Sequence, residues 1–150
     1  MVDKIDSATR SRNMAAIKSR NTTPELLIRS GLHKRGFRFR LHVKDLPGKP
    51  DIVLPKYNAV IFINGCFWHG HPNCRLYKLP GTRTEYWQKK ITRNQANDAR
   101  SRALLLESNW RVCIIWECKI RASKKDLNQL IDIISDFLNS MDTFLEVREN

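Results

Sequence analysis

The 150-residue chain lacks any apolar run long enough to cross a bilayer, which excludes a helical membrane protein. It opens on Met-Val-Asp-Lys-Ile-Asp, a polar start without the apolar segment of a secretory signal, so the expected location is the cytoplasm. Internal repeats and low-complexity tracts are also missing, which leaves one ordinary domain large enough for a sheet, flanking helices and a core. Acidic residues are scarce. Fifteen Asp and Glu face 27 Lys and Arg, for a net charge of +12 and a pI near 10.0. That imbalance calls for a polyanionic partner, of which nucleic acid is the commonest. Cysteines number four, and in a cytoplasmic chain they favour metal ligation over disulfides.

The positive charge is concentrated in two segments. Residues 1–40 carry ten Lys and Arg against three acidic residues, and residues 75–102 carry eight against two. The polar stretch 1–20, with Arg10, Arg12, Lys18 and Arg20, reads as a basic arm that folds on a phosphate backbone. A solvated or disordered basic face is the plainer alternative. The expected division is this arm, a domain over 21–140, and a frayed tail over 141–150.

Thr22-Thr23-Pro24-Glu25 starts a helix, with either threonine able to cap it, and Gly36 ends it. Phe37–Val43 alternates strictly and predicts a strand with one basic face. Ile52–Leu54 and Ala59–Ile63 form a hairpin around Pro55-Lys56-Tyr57-Asn58. Thr84 caps a long helix on which Trp87, Ile91, Asn94 and Asp98 share a face. A strand over Arg111–Trp116 and an amphipathic helix through Leu127, Leu130, Ile131, Ile134, Phe137 and Leu138 follow. The order implies the α/β class, with a central mixed sheet, antiparallel at the hairpins and entered by a crossover helix before its last strand.

The densest stretch is Asn64–Cys74, directly after the apolar run Ala59–Ile63. Cys66, His71 and Cys74 supply thiolate and imidazole donors within one loop, and Cys118, closing the second apolar run Val112–Trp116, is placed to complete a tetrahedral zinc site where two strand ends meet. Such a closed site is structural. With His71 as ligand, His69 is left as a general base or acid, although it remains an alternative ligand or a surface histidine. Phe67 and Trp68 are either core residues or protruding wedges that enter between DNA bases.

Pairing around the hairpin brings Asp51 beside Ile63 and Asn64. A carboxylate there, with neighbouring carbonyls, makes a hard-oxygen site suited to magnesium, unless Asp51 is only a turn residue after Pro50. Glu25 reaches the same site or serves only as a cap. Asn94 and Asp98 orient water or the free imidazole, or are unremarkable surface residues.

Taken together, Thr9–Met14, Leu46–Asp51, Gly65–His69, Thr82–Trp87 and Val112–Cys118 resemble the very-short-patch repair DNA mismatch endonucleases, in order, from about residue 7 to 121. The resemblance implies a restriction-endonuclease-like fold with a modified PD-(D/E)XK site. It implies hydrolysis of the phosphodiester 5′ of the mismatched thymine at T·G pairs left by deamination of 5-methylcytosine. It further implies Asp51 and the Ile63 carbonyl on one or two magnesium ions, and His69 activating the attacking water. Glu25 and Asn94 would organise waters. Cys66, His71, Cys74 and Cys118 would hold zinc, with one extra residue before Cys74 than some relatives have. Phe67, Trp68 and Trp87 would intercalate beside the mismatch. Asn64 stands where a histidine is frequent, and asparagine cannot donate a proton as an acid. The implied setting is a bacterial nucleoid, with a cytosine-5 methyltransferase, a MutL-type protein and a repair polymerase as functional partners. Two other readings suit the residues: a restriction-type nuclease on matched duplex, and a zinc-stabilised DNA-binding module without chemistry.

Overall fold

A computed structural model describes residues 22–149, so the arm expected over 1–20, with Arg10, Arg12, Lys18 and Arg20, lies outside the described residues. The elements in chain order are α1 (Thr23–Lys34), β1 (Arg40–Leu41), β2 (Ile52–Leu54), a 3-10 turn (Pro55–Tyr57) and β3 (Ala59–Asn64). Then come α2 (Thr84–Glu107), β4 (Arg111–Trp116), α3 (Glu117–Ala122), α4 (Asn128–Leu138) and β5 (Phe144–Val147). The strands form one sheet in the order β1-β2-β3-β4-β5. The first three are antiparallel, while β3–β4 and β4–β5 are parallel. This is the mixed α/β sheet with flanking helices that the sequence led us to expect, and α2 is its crossover.

Local chemistry sets the element ends. The Thr22 hydroxyl accepts the Glu25 N–H at 3.4 Å, so Thr22 rather than Thr23 caps α1. Asn58 takes a left-handed conformation (φ 49°) that ends the 3-10 turn, and its carbonyl accepts the Arg111 N–H at 2.7 Å. The hairpin is thereby tied to β4 before the parallel ladder begins.

Both faces of the sheet are covered. Ile52, Leu54, Ala59, Ile61, Cys113 and Ile115 pack with Ile28 and Leu32 of α1 and Leu130, Ile131 and Ile134 of α4. Val53, Val60, Val112, Ile114 and Trp116 pack on the other side with Leu105 of α2. Double coverage is why β3 and β4 read as unbroken apolar runs instead of alternating ones. Each fully buried branched side chain contributes roughly 1.5–3 kcal/mol, so Ile52, Leu54, Ile61 and Ile115 of the strands share the core's stabilisation with Ile28, Leu32, Leu105, Leu130, Ile131 and Ile134 of the helices. Helix α1 meets α4 at Gly31, where an added Cβ would lie 2.6 Å from Ile131 Cδ1.

Four local expectations are corrected. The strand predicted over Phe37–Val43 pairs only at Arg40–Leu41. Phe37 N–H bonds back to Leu32 O at 3.1 Å, closing off α1, and His42 turns to φ 51°, which ends the extended run. Thr84 opens α2 without capping it, because its hydroxyl donates backward to Pro80 O at 2.8 Å. Cys118 lies in the first turn of the short helix α3, not at a strand end. Residues 141–150 are not simply a frayed tail, since Phe144–Val147 pairs in parallel with β4. Only Val147 of that strand is buried, so no apolar alternation marks it, and the open edge of β4 supplies its pairing partner.

Candidate active site

The register of β3 with β4 pairs Asn64 with Trp116. Two residues beyond each lie Cys66 and Cys118, so the parallel ladder carries both cysteines to the same end of the sheet. Cys66, His71, Cys74 and Cys118 each offer a donor atom, all within 4.8 Å of one another. The Cys118 Sγ to His71 Nδ1 separation is 3.6 Å. Tetrahedral zinc with ordinary Zn–S and Zn–N bonds requires about that sulfur–nitrogen edge. Burial lowers the pKa of His71, keeping its imidazole neutral as a ligand must be. The His71 ring stacks on Trp116 at 3.9 Å, and the Trp116 indole N–H donates to Glu146 Oε2 at 2.7 Å. Burial, with the neighbouring thiols adding to it, pushes the Cys66 thiol far above its ordinary range. Metal binding therefore has to expel protons, and acid should release the ion. The four residues expected to hold zinc fit it.

At the other edge of β3, Asp51 donates its backbone N–H to Ile61 O at 3.1 Å and accepts the Ile63 N–H on Oδ2 at 2.7 Å. In an extended strand the N–H and C=O of one residue face the same edge, so the Ile63 carbonyl is turned toward Asp51 as well. Glu25, only 2% exposed, reaches this pocket from α1 while its backbone N–H is capped by Thr22. Capping and site membership are thus compatible. Glu25 Oε2 contacts Arg29 Nη2 and lies 3.0 Å from His42 Nε2. One ligand atom each of Glu25, His42 and Asp51 falls within 4.8 Å of the others. His42 carries no spacing motif and is brought in by β1–β2 pairing, where its N–H meets Asp51 O at 3.3 Å. Burial raises the Asp51 pKa from 3.8 to about 7; the Ile63 N–H opposes the rise, Glu25 adds to it, and His69 and Arg29 oppose it. A buried and a half-buried carboxylate side by side call for a cation, and these oxygens suit a hard divalent ion.

The loop between these two centres is held by α2. Asn94 Nδ2 donates to Trp68 O at 2.8 Å, Gln95 Nε2 donates to Gly70 O at 2.8 Å, and Asp98 Oδ2 lies 2.6 Å from His69 Nδ1. Gly70 (φ 59°) has no room for a side chain, since an added Cβ would sit 2.4 Å from Gln95 Nε2. The Asp98 carboxylate selects the tautomer with the proton on Nδ1, which leaves Nε2 as a proton acceptor. Of the two roles open to Asp98, orienting the imidazole is the one its contact favours. Asn94 is engaged with the loop backbone. Gln95 stands next to it in sequence without having been singled out. Asn64 ends β3 and is buried. Phe67, Trp68 and Trp87 are partly buried and pack on one another, with ring centroids 5.0 Å apart for Phe67–Trp68 and 5.6 Å for Phe67–Trp87. They form a continuous aromatic cluster instead of protruding singly.

Two outcomes are expected. Cys118→Ser should lose both zinc and thermal stability, whereas Cys113→Ser, on the opposite face of the sheet, should keep the metal. Elemental analysis with a thermal melt checks this, and zinc retained without Cys118 contradicts it. The second concerns Asp51 in zinc-loaded protein without other divalent ions. Its folded pKa exceeds the unfolded value, so its contribution to stability is complete below about pH 4 and is lost as the pH rises toward about 7. Relative to Asp51→Asn, the natural chain should lose on the order of 2–4 kcal/mol of unfolding free energy between pH 4.5 and 7.5. Parallel pH profiles for the two proteins would contradict the assignment.

A family model described as DNA mismatch endonuclease Vsr matches residues 2–76. The chain is 48% identical over 125 residues to DNA mismatch endonuclease Vsr of Escherichia coli, covering 83% of this chain and 80% of that protein. It is 48% identical over 120 residues to Type II nicking enzyme V.XorIIP of Xanthomonas oryzae, covering 80% and 88%. Against Type II nicking enzyme V.NmeAIP of Neisseria meningitidis it is 40% identical over 139 residues, covering 91% and 99%. A double-faced mixed sheet, a Cys/His knot at the end of β3 and β4 and a carboxylate pocket at the hairpin mouth are therefore the frame of a chain that belongs to the Vsr family of DNA mismatch endonucleases.

Proposed function

We propose that the chain is a metal-dependent DNA endonuclease that nicks one strand at a T·G mismatch, at the phosphodiester 5′ of the mismatched thymine. The observation that carries the chemistry is the His69–Asp98 pair at 2.6 Å, on a loop whose other end is fixed by the Cys/His cluster. Family membership and the relatives named for nicking support the reaction type. The net charge of +12 supports a polyanionic substrate.

In this reading Asp51 and the Ile63 carbonyl would hold one or two magnesium ions, and Glu25 would organise their waters. The bound metal supplies charge neutralisation on the scissile phosphate and acidifies bound water. His69 Nε2 takes the proton from the attacking water while Asp98 steadies the imidazolium that forms. The new P–O bond forms in line as the bond to the 3′-oxygen breaks, leaving a 5′-phosphate on the thymine and a 3′-hydroxyl. Asn64 can hydrogen-bond near the leaving oxygen but cannot protonate it, so that proton comes from solvent. The Phe67–Trp68–Trp87 cluster wedges beside the mismatch, where opening a weak pair costs less than opening a matched one. The arm with Arg10, Arg12, Lys18 and Arg20 adds phosphate contacts. The mismatched substrate arises by deamination of the 5-methylcytosine that a cytosine-5 methyltransferase makes, and the nick hands the strand to a repair polymerase, with a MutL-type protein assisting.

Single-turnover nicking of T·G and T·A duplexes of otherwise identical sequence tests this. T·G should be cut with magnesium on the thymine strand alone, and T·A should be cut slowly or not at all. His69→Ala should lower the rate on the order of 10²–10⁴-fold with zinc content unchanged. Equal cutting of both duplexes would favour a restriction-type nuclease, and zinc lost from His69→Ala would reverse the roles of His69 and His71.

A further inference from the structure

The pocket at the hairpin mouth holds a nitrogen donor. His42 follows β1 directly, is half-buried, and sits in the left-handed region at φ 51°. A non-glycine residue is strained there, and such strain persists where surrounding structure enforces it, frequently at functional sites. Here the enforcement is visible. The His42 N–H is tied to Asp51 O at 3.3 Å, and the imidazole Nε2 is aimed at Glu25 Oε2, 3.0 Å away. An octahedral centre with bonds near 2.1 Å has adjacent ligands about 3.0 Å apart. Three elements thus converge: α1 with Glu25, the end of β1 with His42, and the mouth of β2 with Asp51.

A cation already belongs to this arrangement. Arg29 Nη2 contacts the same Glu25 oxygen and lies 3.3 Å from His42 Nε2. The guanidinium balances the buried Glu25 and half-buried Asp51 carboxylates and lowers the cost of Asp51 ionisation. A dication bound between Glu25 and His42 would have to exchange with it.

We propose that His42 is a third side chain of the divalent centre, and that its nitrogen makes the site a mixed nitrogen–oxygen one that selects Mn2+ and Co2+ over Mg2+. Carboxylate and carbonyl oxygens suit magnesium, whereas imidazole favours first-row transition ions. The inference rests on Asp51 being a metal carboxylate, and goes beyond it by naming the ligand that sets metal choice.

The test uses the full zinc-loaded chain without DNA, with Mn2+ followed by electron paramagnetic resonance and Mg2+ measured by competition. The natural chain should show nitrogen modulation of the Mn2+ echo. His42→Gln, which keeps a polar side chain able to reach Glu25, should lose that modulation. It should bind Mn2+ roughly 10–100-fold more weakly, while Mg2+ affinity changes by less than about threefold. Arg29→Gln should tighten both ions. Circular dichroism and zinc content verify folding, and His42→Ala provides a second variant with the same expected loss of selectivity. Absence of nitrogen modulation in the natural chain, its survival in His42→Gln, or equal losses for the two ions would overturn the proposal. Asp51→Asn separates the two layers. If it binds Mn2+ as the natural chain does, the reading of Asp51 fails; if it abolishes binding while His42→Gln does not alter selectivity, only the role of His42 fails.

Discussion

The parallel ladder between β3 and β4 is the constraint on which the rest depends. Its register, Asn64 opposite Trp116, determines that Cys66 and Cys118 leave the sheet side by side. A one-residue slip would turn every side chain of one strand to the other face, exchanging Ile61 and Ile63 for Val60 and Phe62 against α1 and α4. Double-sided burial makes such a slip costly, so the hydrophobic pattern itself specifies the metal knot. Zinc bound by these four donors would reinforce what the ladder sets, because its binding free energy is available only to the register that assembles them.

Around that frame, electrostatics divide the site into two kinds of chemistry. The knot is soft, and burial keeps the Cys66 thiol and the His71 imidazole uncharged before metal arrives. The hairpin mouth is hard and anionic, with Asp51 and Glu25 sharing a pocket that Arg29 balances. Between them, the loop carrying His69 is clasped by three consecutive polar contacts from Asn94, Gln95 and Asp98. Helix α2 is therefore more than a crossover: it fixes the loop backbone so that the imidazole need not be ordered anew for each turnover.

Much of this was legible in the residues. The Cys-x4-His-x2-Cys spacing and the apolar runs before Cys66 and Cys118 specified the knot, since metal-ligand spacing is a local property. The Asp51–Ile63 contact followed from hairpin pairing alone. What escaped reading was set by tertiary partners. His42 and Arg29 enter the pocket through β1 pairing and the geometry of α1, neither of which leaves a periodic signal. Strand β5 exists because β4 offers an open edge, while its own sequence buries one residue of four. The alternation of Phe37–Val43 overstated β1, because the end of α1 and the turn at His42 take up most of that run.

The central claim is that His69 and Asp98 act as one unit on the reaction, on the loop that α2 clasps. A double-mutant cycle on single-turnover T·G nicking tests it most directly, using His69→Ala, Asp98→Asn and the combined variant. The account predicts that Asp98→Asn slows the natural enzyme but changes the rate little once His69 is gone. Independent, multiplicative losses in the combined variant would contradict it.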